Sequence, residues 1–141
     1  MKLELLIDEL NSLNLPRDLF AVTSSGAMAV RGLREANDID VLVTEELWKK
    51  LASKYPLRRT PKGFFIKLSK NVEVMGGWSN TQKNDLEGAG RQIKNAERID
   101  GIRFVRLSDV KKFKKKVGRK KDFEDIKLID SYLKSGSLNK T

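Results

Sequence analysis

The chain contains neither cysteine nor histidine. Their absence excludes disulfide bonds, thiol nucleophiles, imidazole bases and zinc sites of the usual kind. Any catalysis must therefore use carboxylates, hydroxyls, lysine or arginine. Because carboxylates are hard oxygen ligands, a metal ion used here would be magnesium or manganese rather than a softer metal.

Long apolar runs are missing as well. No segment approaches the roughly 18 apolar residues of a membrane span, and the first ten residues carry three acids instead of a signal-peptide core. We therefore expect a cytoplasmic protein that makes no membrane contact. A length of 141 residues predicts about one domain, placed at residues 1–135, with a frayed polar tail at 136–141.

Positive charge is concentrated in one segment. The formal net charge is +10, and eight of the eleven residues in "KKFKKKVGRKK", Lys111 to Lys121, are basic, whereas the other 21 basic residues nearly balance 19 acids. Such a cluster attracts polyanions such as nucleic acid or nucleotide phosphates. A solvated helix face explains a lysine run equally well.

Hydrophobic periodicity predicts helix, strand, helix, strand, helix, hairpin, helix, hairpin and two helices, in that order. This order is typical of an α/β (α+β) domain in which helices flank a mixed sheet. Local signals mark several boundaries: Thr44 is the expected N-cap of the third helix, Asp100-Gly101 the turn of the second hairpin, and Ser108 and Gly118 the start and end of the first C-terminal helix.

Two acids interrupt a strand that otherwise reads as buried. In "DIDVLV", Asp38 and Asp40 lie on one face, opposite the apolar side chains of Ile39, Val41 and Val43. Two carboxylates on one face repel each other unless a cation or water compensates. The pair suits divalent metal ions that clamp nucleotide phosphates. A water-exposed strand face is the commoner explanation of an isolated Asp-x-Asp.

A run of small residues precedes the acids. Ser24, Ser25 and Gly26 are predicted to form a turn between a short strand and a short helix, and Gly26 lies twelve residues before Asp38. The backbone N–H groups and the two hydroxyls of such a turn could cradle phosphate oxygens. A phosphate cradle followed by a metal-binding pair forms a coherent triphosphate site.

A third carboxylate is expected, because two metal ions need a further ligand or the acceptor hydroxyl needs a base. Glu73, in "NVEVM", is the candidate. Its strand could pair next to "DIDVLV", with Val72 and Val74 pointing to the opposite face. The alternative is an exposed residue at the edge of the sheet.

The spacing from Gly26 to Asp38-Ile39-Asp40, followed by an apolar run, resembles the signature of the DNA polymerase β-like nucleotidyltransferase superfamily. The usual family turn is Gly-Ser or Gly-Gly, whereas this chain has Ser-Ser-Gly followed by Ala27. A second segment, "KKKVGRKKDFEDI", resembles the Lys-x3-Gly-Arg-x-Lys-Asp-x2-Asp-Ile element of minimal nucleotidyltransferases similar to abortive-infection toxins. Its matching positions are Lys114, Gly118, Arg119, Lys121, Asp122 and Asp125.

The resemblance implies the nucleotidyltransferase fold and a metal-dependent enzyme. It would move a nucleoside monophosphate from an NTP to a hydroxyl of RNA or of a partner protein, in a toxin-antitoxin or phage-defence system. The implied ligands of Mg²⁺ or Mn²⁺ are Asp38, Asp40 and Glu73. The implied triphosphate ligands are Ser24, Ser25, Gly26, Lys114, Arg119 and Lys121.

Other charged residues receive supporting roles. Asp122 and Asp125 are expected to hold the basic side chains in place as ion pairs. Arg31 and Arg34 are interpreted either as phosphate ligands or as charge partners of Glu35, and they rank below the other basic residues.

Two functions of other classes compete with the enzyme. The first is a catalytically inactive module of the same fold that binds nucleic acid through its lysine-rich helix, with a steep dependence on salt and none on Asp38 or Asp40. The second is an antitoxin or scaffold that acts only through protein contacts and would co-purify with one partner.

Overall fold

The computed structural model describes residues 2–60, 63–75 and 83–139. Its strands are β1 (Phe20–Thr23), β2 (Ile39–Val43), β3 (Leu57–Thr60), β4 (Gly63–Ser69), β5 (Val72–Val74), β6 (Glu97–Ile99) and β7 (Ile102–Phe104). Its α-helices are α1 (Leu3–Ser12), α2 (Ser24–Ala29), α3 (Glu45–Ala52), α4 (Lys83–Asn95), α5 (Leu107–Val117) and α6 (Lys120–Asn139), and a short 3₁₀ helix covers Arg17–Leu19. The strands form one mixed sheet in the order β3-β4-β5-β2-β1-β7-β6.

The predicted order of elements is confirmed, with two additions, the short 3₁₀ helix and strand β3. Strand β3 was not expected, and it pairs antiparallel with β4 at one edge of the sheet. The chain is an α/β domain with a mixed sheet and two C-terminal helices. Helix α6 extends to Asn139, into the segment that the sequence predicts to be a frayed tail. None of the helices in the described ranges has the length and apolar character of a transmembrane segment.

Strand β2 lies near the centre of the sheet, antiparallel to β1 and parallel to β5. Ile39, Val41 and Val43 belong to the core cluster that includes residues of α1 and α3. Leu42 belongs to the cluster on the other face, with residues of α2, α4, α5 and α6. The predicted alternation along β2 is therefore confirmed, and Asp40 lies on the same face as Leu42.

Several predictions from local sequence signals are confirmed by the structure. Asp100 and Gly101 have φ values of 51° and 81°, which are the two positive φ values that a tight two-residue hairpin turn requires. Gly118 adopts the left-handed conformation, φ 70°, at the end of α5. Thr44 Oγ1 accepts a hydrogen bond of 3.3 Å from a backbone N–H in the first turn of α3.

Two predicted boundaries are wrong. Ser108 does not cap α5, because the helix already begins at Leu107, and Arg106 occupies the N-cap position without a side-chain cap. Residues 24–26 do not form a separate turn, because α2 begins at Ser24 directly after β1. The sharp change of direction from strand to helix is taken up at Ser24, whose φ is 56°.

Gly26 has a packing role in this arrangement. It is buried in α2, and a Cβ atom at this position would lie 2.6 Å from Val22 Cγ1 and 3.2 Å from Ile39 Cδ1. These distances leave no room for a methyl group unless α2 or the side chains of Val22 and Ile39 shift. The need for glycine is therefore explained by the close approach of α2 to β1 and β2.

We expect Gly26→Ala to lower the free energy of unfolding by about 1–3 kcal/mol, because the added methyl group overpacks this contact. Urea unfolding of the two proteins measures the change. Gly90→Ala is the matched control, because Gly90 lies in α4 and a Cβ there meets nothing within 4 Å. The control should be neutral or slightly stabilised. Equal stability of Gly26→Ala and the wild type would contradict the packing explanation.

Candidate active site

A cavity of about 270 Å³ opens on the sheet face that α5 and α6 cover. It brings together residues from distant parts of the chain: Ser24, Ser25, Asp38 and Asp40 from the first third, and Lys114, Arg119 and Lys121 from the last. The lining further includes Arg34, Asn37, Phe65, Met75, Phe113 and Asp125. Gly26 and Glu73, two further residues predicted for the site, are not among the lining residues.

The two acids reach the cavity from β2 and from the residue before it. Asp38 is exposed and Asp40 is half-buried. In the sheet, Asp40 is paired with Thr23 of β1 and with Glu73 of β5. Since neighbouring strands lie roughly 4.8 Å apart, Glu73 is adjacent to Asp40 in the sheet, as the sequence predicts.

Glu73 has a different partner in this structure. Its carboxylate contacts the guanidinium of Arg58, which lies on β3. Within the described ranges, no three carboxylates are grouped closely enough to hold a metal ion. The structure thus brings Asp38 and Asp40 together in the cavity, and places Glu73 beside them in the sheet without joining it to a ligand set.

The donor set of the cavity fits a magnesium ion that binds together with phosphates. Magnesium commonly takes one or two protein carboxylates and completes its coordination with water and substrate phosphate oxygens. Asp38 and Asp40 supply two carboxylates, and cationic side chains for phosphate line the same cavity. A cage made only of protein ligands would need more oxygen donors than this pair provides.

Lys114 is the centre of an unusually buried group of charges. It is only 4% exposed. Its Nζ lies 2.9 Å from Asp125 Oδ2 and 3.6 Å from Asp122 Oδ1. Arg119 donates two side-chain hydrogen bonds to Asp122, from Nε at 2.7 Å and from Nη2 at 3.0 Å. The prediction that Asp122 and Asp125 hold the basic groups as ion pairs is confirmed for Lys114 and Arg119, but not for Lys121.

Arg34 completes this group. Its Nη1 donates to both carboxylate oxygens of Asp125, at 3.0 and 2.9 Å. The contact ties the loop before β2 to the first turns of α6. We refer to the five residues as the ion-pair cluster: Arg34, Lys114, Arg119, Asp122 and Asp125.

The structure corrects the expected partner of the two lower-ranked arginines. Neither makes its ion pair with Glu35: Arg34 pairs with Asp125, and Arg31 pairs with Glu97 at 2.9 Å. Arg31 is largely buried and also donates to two backbone carbonyl oxygens. Arg31 therefore links α2 to the β6–β7 hairpin and does not line the cavity.

The cationic side chains around the cavity differ in their exposure and in how far ion pairs neutralise their charge. The charge of Lys114 is balanced by two buried carboxylates. The Arg119 side chain is 37% exposed although it pairs with Asp122. Lys121 is exposed and makes no ion pair with any residue that the structure describes. Arg119 and Lys121 are thus more accessible to an anion in the cavity than Lys114, whose charge is neutralised by its ion pairs.

Asp122 is fully buried, and burial and ion pairing have opposite effects on its pKa. Burial raises its pKa, but the hydrogen bonds and charge of Arg119, together with the charge of Lys114, outweigh burial, so that the pKa lies below its usual value. Hydrogen bonding to Asp122 raises the pKa of Arg119 against the opposing effect of burial. At Glu9, hydrogen bonds from Ser69 and Asn71 lower the pKa.

The free energy of unfolding should therefore fall in acid. A carboxylate whose folded pKa is depressed stabilises the fold above its unfolded pKa of about 4, and the contribution disappears as pH drops through the folded value. With no histidine in the chain, we expect nearly constant stability between about pH 5 and 8 and a decrease below about pH 4. Urea unfolding at several pH values across this range measures the dependence of the free energy of unfolding on pH.

The variant Glu9→Gln provides a control for the acid effect. It removes the carboxylate of Glu9, whose pKa is lowered, so the stability of the variant should decrease less steeply below about pH 4 than that of the wild type. Stability that stays constant or rises toward pH 3 would contradict the assignment of depressed pKa values to Glu9 and Asp122.

Comparison with protein-family models, with curated proteins and with solved structures finds no match to this chain. The functional interpretation therefore rests on the motifs and on the geometry of the cavity. Sequence reasoning did not select four of the lining residues, namely Asn37, Phe65, Met75 and Phe113. Phe113 recurs at helical spacing with Val110 and Val117, and this spacing alone does not distinguish a core position from a cavity wall.

Proposed function

We propose that this chain is a metal-dependent nucleotidyltransferase with the fold of that superfamily. It would transfer a nucleoside monophosphate from an NTP to a hydroxyl group of RNA or of a partner protein. The observation that carries the proposal is the cavity itself, which unites an Asp-x-Asp pair and two serines with cationic residues about 80 positions further along the chain. A metal-bound polyphosphate uses both kinds of group, because the metal ion binds carboxylate oxygens and the phosphates bind cations.

Each part of the cavity has a role in this proposal. Arg119 binds phosphate oxygens through two parallel N–H groups of its guanidinium, and Lys121 binds them through the single charge of its ammonium group. The hydroxyls of Ser24 and Ser25 donate to the same oxygens. The rest of the ion-pair cluster keeps Arg119 in place, so that little reorganisation is needed during the reaction.

Asp38 and Asp40 would hold Mg²⁺ or Mn²⁺ together with the phosphates. When bound, the metal ion neutralises phosphate charge and favours an activated oxygen nucleophile. Asp38 is exposed and Asp40 lies on a buried central strand, so the pair offers one flexible and one fixed carboxylate. Glu73 is proposed as the third ligand or as the base, which requires its carboxylate to leave Arg58.

The reaction forms one bond and breaks one. The oxygen of the acceptor hydroxyl bonds to the α-phosphorus of the NTP, the bond from this phosphorus to the bridging oxygen breaks, and pyrophosphate leaves. The hydroxyl proton passes to a carboxylate, for which Glu73 is the candidate, and then to water. Catalysis of this kind depends mainly on positioning and on charge neutralisation.

Calorimetric titration of each of the four NTPs into the protein tests the proposal. With magnesium present, at least one NTP should bind, and an excess of EDTA should abolish or strongly weaken binding. Inorganic tripolyphosphate, titrated in parallel, measures how much of the NTP affinity the phosphates supply on their own. If no NTP binds in the presence of magnesium, the enzyme proposal is wrong.

The competing proposal is a module that binds nucleic acid without turnover. It is supported by Lys112, Lys115 and Lys120, which are exposed and make no ion pair within the part of the chain that the structure describes. Binding of single-stranded RNA through them would weaken with salt, with a logarithmic slope of about −0.7 for each phosphate contacted. It would be indifferent to magnesium and to the two acids of β2.

A further inference from the structure

We propose that a second cavity, beside the first, receives the base of the nucleotide. This inference rests on the proposed function, because it concerns the base of the NTP, whereas the first cavity is assigned to the phosphates. The second cavity has a volume of about 170 Å³ and is lined by residues of α4 and α5. Met75 and Phe113 line both cavities, so the two adjoin at these side chains.

The two cavities meet next to the acids. Thr23 lines the second cavity and Asp40 lines the first, and these residues are paired across β1 and β2. A ligand that extends from one cavity into the other would therefore pass the Asp-x-Asp pair. In an NTP, the α-phosphate stands between the polyphosphate and the nucleoside, which is the order that the proposed transfer requires.

The second cavity differs from the first in chemistry. Its walls include the apolar side chains of Leu42, Met75, Ala89 and Phe113, and charged residues also line it, namely Arg91, Asp109, Lys112 and Lys116. The first cavity has two apolar aromatic side chains and one methionine, and carboxylates, hydroxyls and cations make up most of its lining. A cavity of about 150 Å³ admits a benzene ring, so the space suffices for one six-membered ring of a base. An aromatic side chain at the wall is suited to stacking on such a ring.

One side chain of this cavity can read the edge of a base. Gln92 of α4 lies in the lining, and its amide offers both donors and an acceptor. A glutamine can make two parallel hydrogen bonds to one base edge, and this contact distinguishes bases from one another. We assign to Gln92 the selection among the four NTPs, and to the apolar walls the affinity for any base.

Titration of tripolyphosphate and of the four NTPs, each with magnesium, tests the assignment. The wild type should bind its preferred NTP at least about tenfold more tightly than tripolyphosphate. In Gln92→Leu, the preference among the NTPs should shrink or change order. In Ala89→Leu, which fills the cavity, the preferred NTP should bind no better than tripolyphosphate. Both variants should bind tripolyphosphate as the wild type does.

A matched control is available on the same helix. Asn95→Leu makes a similar change from amide to leucine at an exposed position outside the lining, and it should bind all ligands as the wild type does. If Ala89→Leu does not fold, Gln92→Leu still decides the question, because Gln92 is only partly buried.

The possible failures are distinguishable. If the wild type binds tripolyphosphate and all NTPs equally, the base subsite is refuted while the first cavity stands. The same holds if Gln92→Leu leaves the order of the NTPs unchanged and Ala89→Leu leaves their affinity unchanged. If the wild type binds neither tripolyphosphate nor any NTP, the proposed function fails and the subsite fails with it.

Discussion

Replacing Asp38 and Asp40 together by asparagine is expected to weaken binding of the magnesium–NTP complex by at least about 100-fold. Asparagine keeps the size of the side chain and one oxygen donor but removes both negative charges. The cation would then lose the two negative charges that hold it in the cavity, and its affinity would fall together with that of the phosphates. Calorimetric titration of the preferred NTP with magnesium measures the loss.

The control for this experiment is Glu35→Gln, an isosteric change at an exposed acid of the same loop that does not line the cavity. It should bind NTP as the wild type does. The double variant should still fold, because asparagine keeps the size and shape of both side chains. Thermal unfolding of both proteins would therefore separate a loss of binding from a loss of folding.

The same double variant discriminates between the two functional proposals. If it retains the NTP affinity of the wild type, the acids are not the metal-binding pair. If, in addition, both proteins bind single-stranded RNA with a steep dependence on salt, the nucleic-acid module becomes the better explanation. The enzyme proposal requires the opposite result, in which magnesium, the acids and NTP binding depend on one another.

Sequence reasoning succeeded where the signal is local. The alternation in "DIDVLV" identified the two faces of β2, and Asp100-Gly101 identified a hairpin turn, because both depend on neighbouring residues. Strand β3 was not predicted, because its sequence "LRRT" shows little alternation of apolar and polar residues. At the sheet edge, Arg58 and Arg59 instead place their guanidinium groups 5.6 Å from the ring centres of Phe65 and Phe64.

The pairing within the site could not be predicted in the same way. Arg34 and Asp125 lie 91 positions apart, and no spacing rule connects a loop residue of the first third with a helix residue of the last. The motif around Arg119 and Asp122 could be recognised, since those residues lie within one helical turn of each other. The identity of the ion-pair cluster thus depends on how α6 packs beside the loop before β2.

Removing Asp125 should cost more stability than any surface change. Its side chain accepts from Arg34 and pairs with Lys114, so Asp125→Ala leaves a buried ammonium group without its nearest partner. Breaking a buried ion pair from one side lowers the free energy of unfolding by about 3–5 kcal/mol. The control is Glu45→Ala, which breaks an exposed pair with Lys49 and should cost less than about 1 kcal/mol.

A second variant shows why such a cluster is present. Replacing both partners, in Lys114→Met/Asp125→Leu, removes the two buried charges together, and such replacements are often neutral or stabilising. We expect urea unfolding to show that this variant recovers most of the stability lost in Asp125→Ala. NTP binding should remain weakened, because Arg34 loses its partner and the cavity loses two of its polar groups. If the double variant were as unstable as Asp125→Ala, the cluster would act mainly in folding. Recovered stability with weakened NTP binding would instead indicate that the buried charges are retained because they position the phosphate-binding side of the cavity.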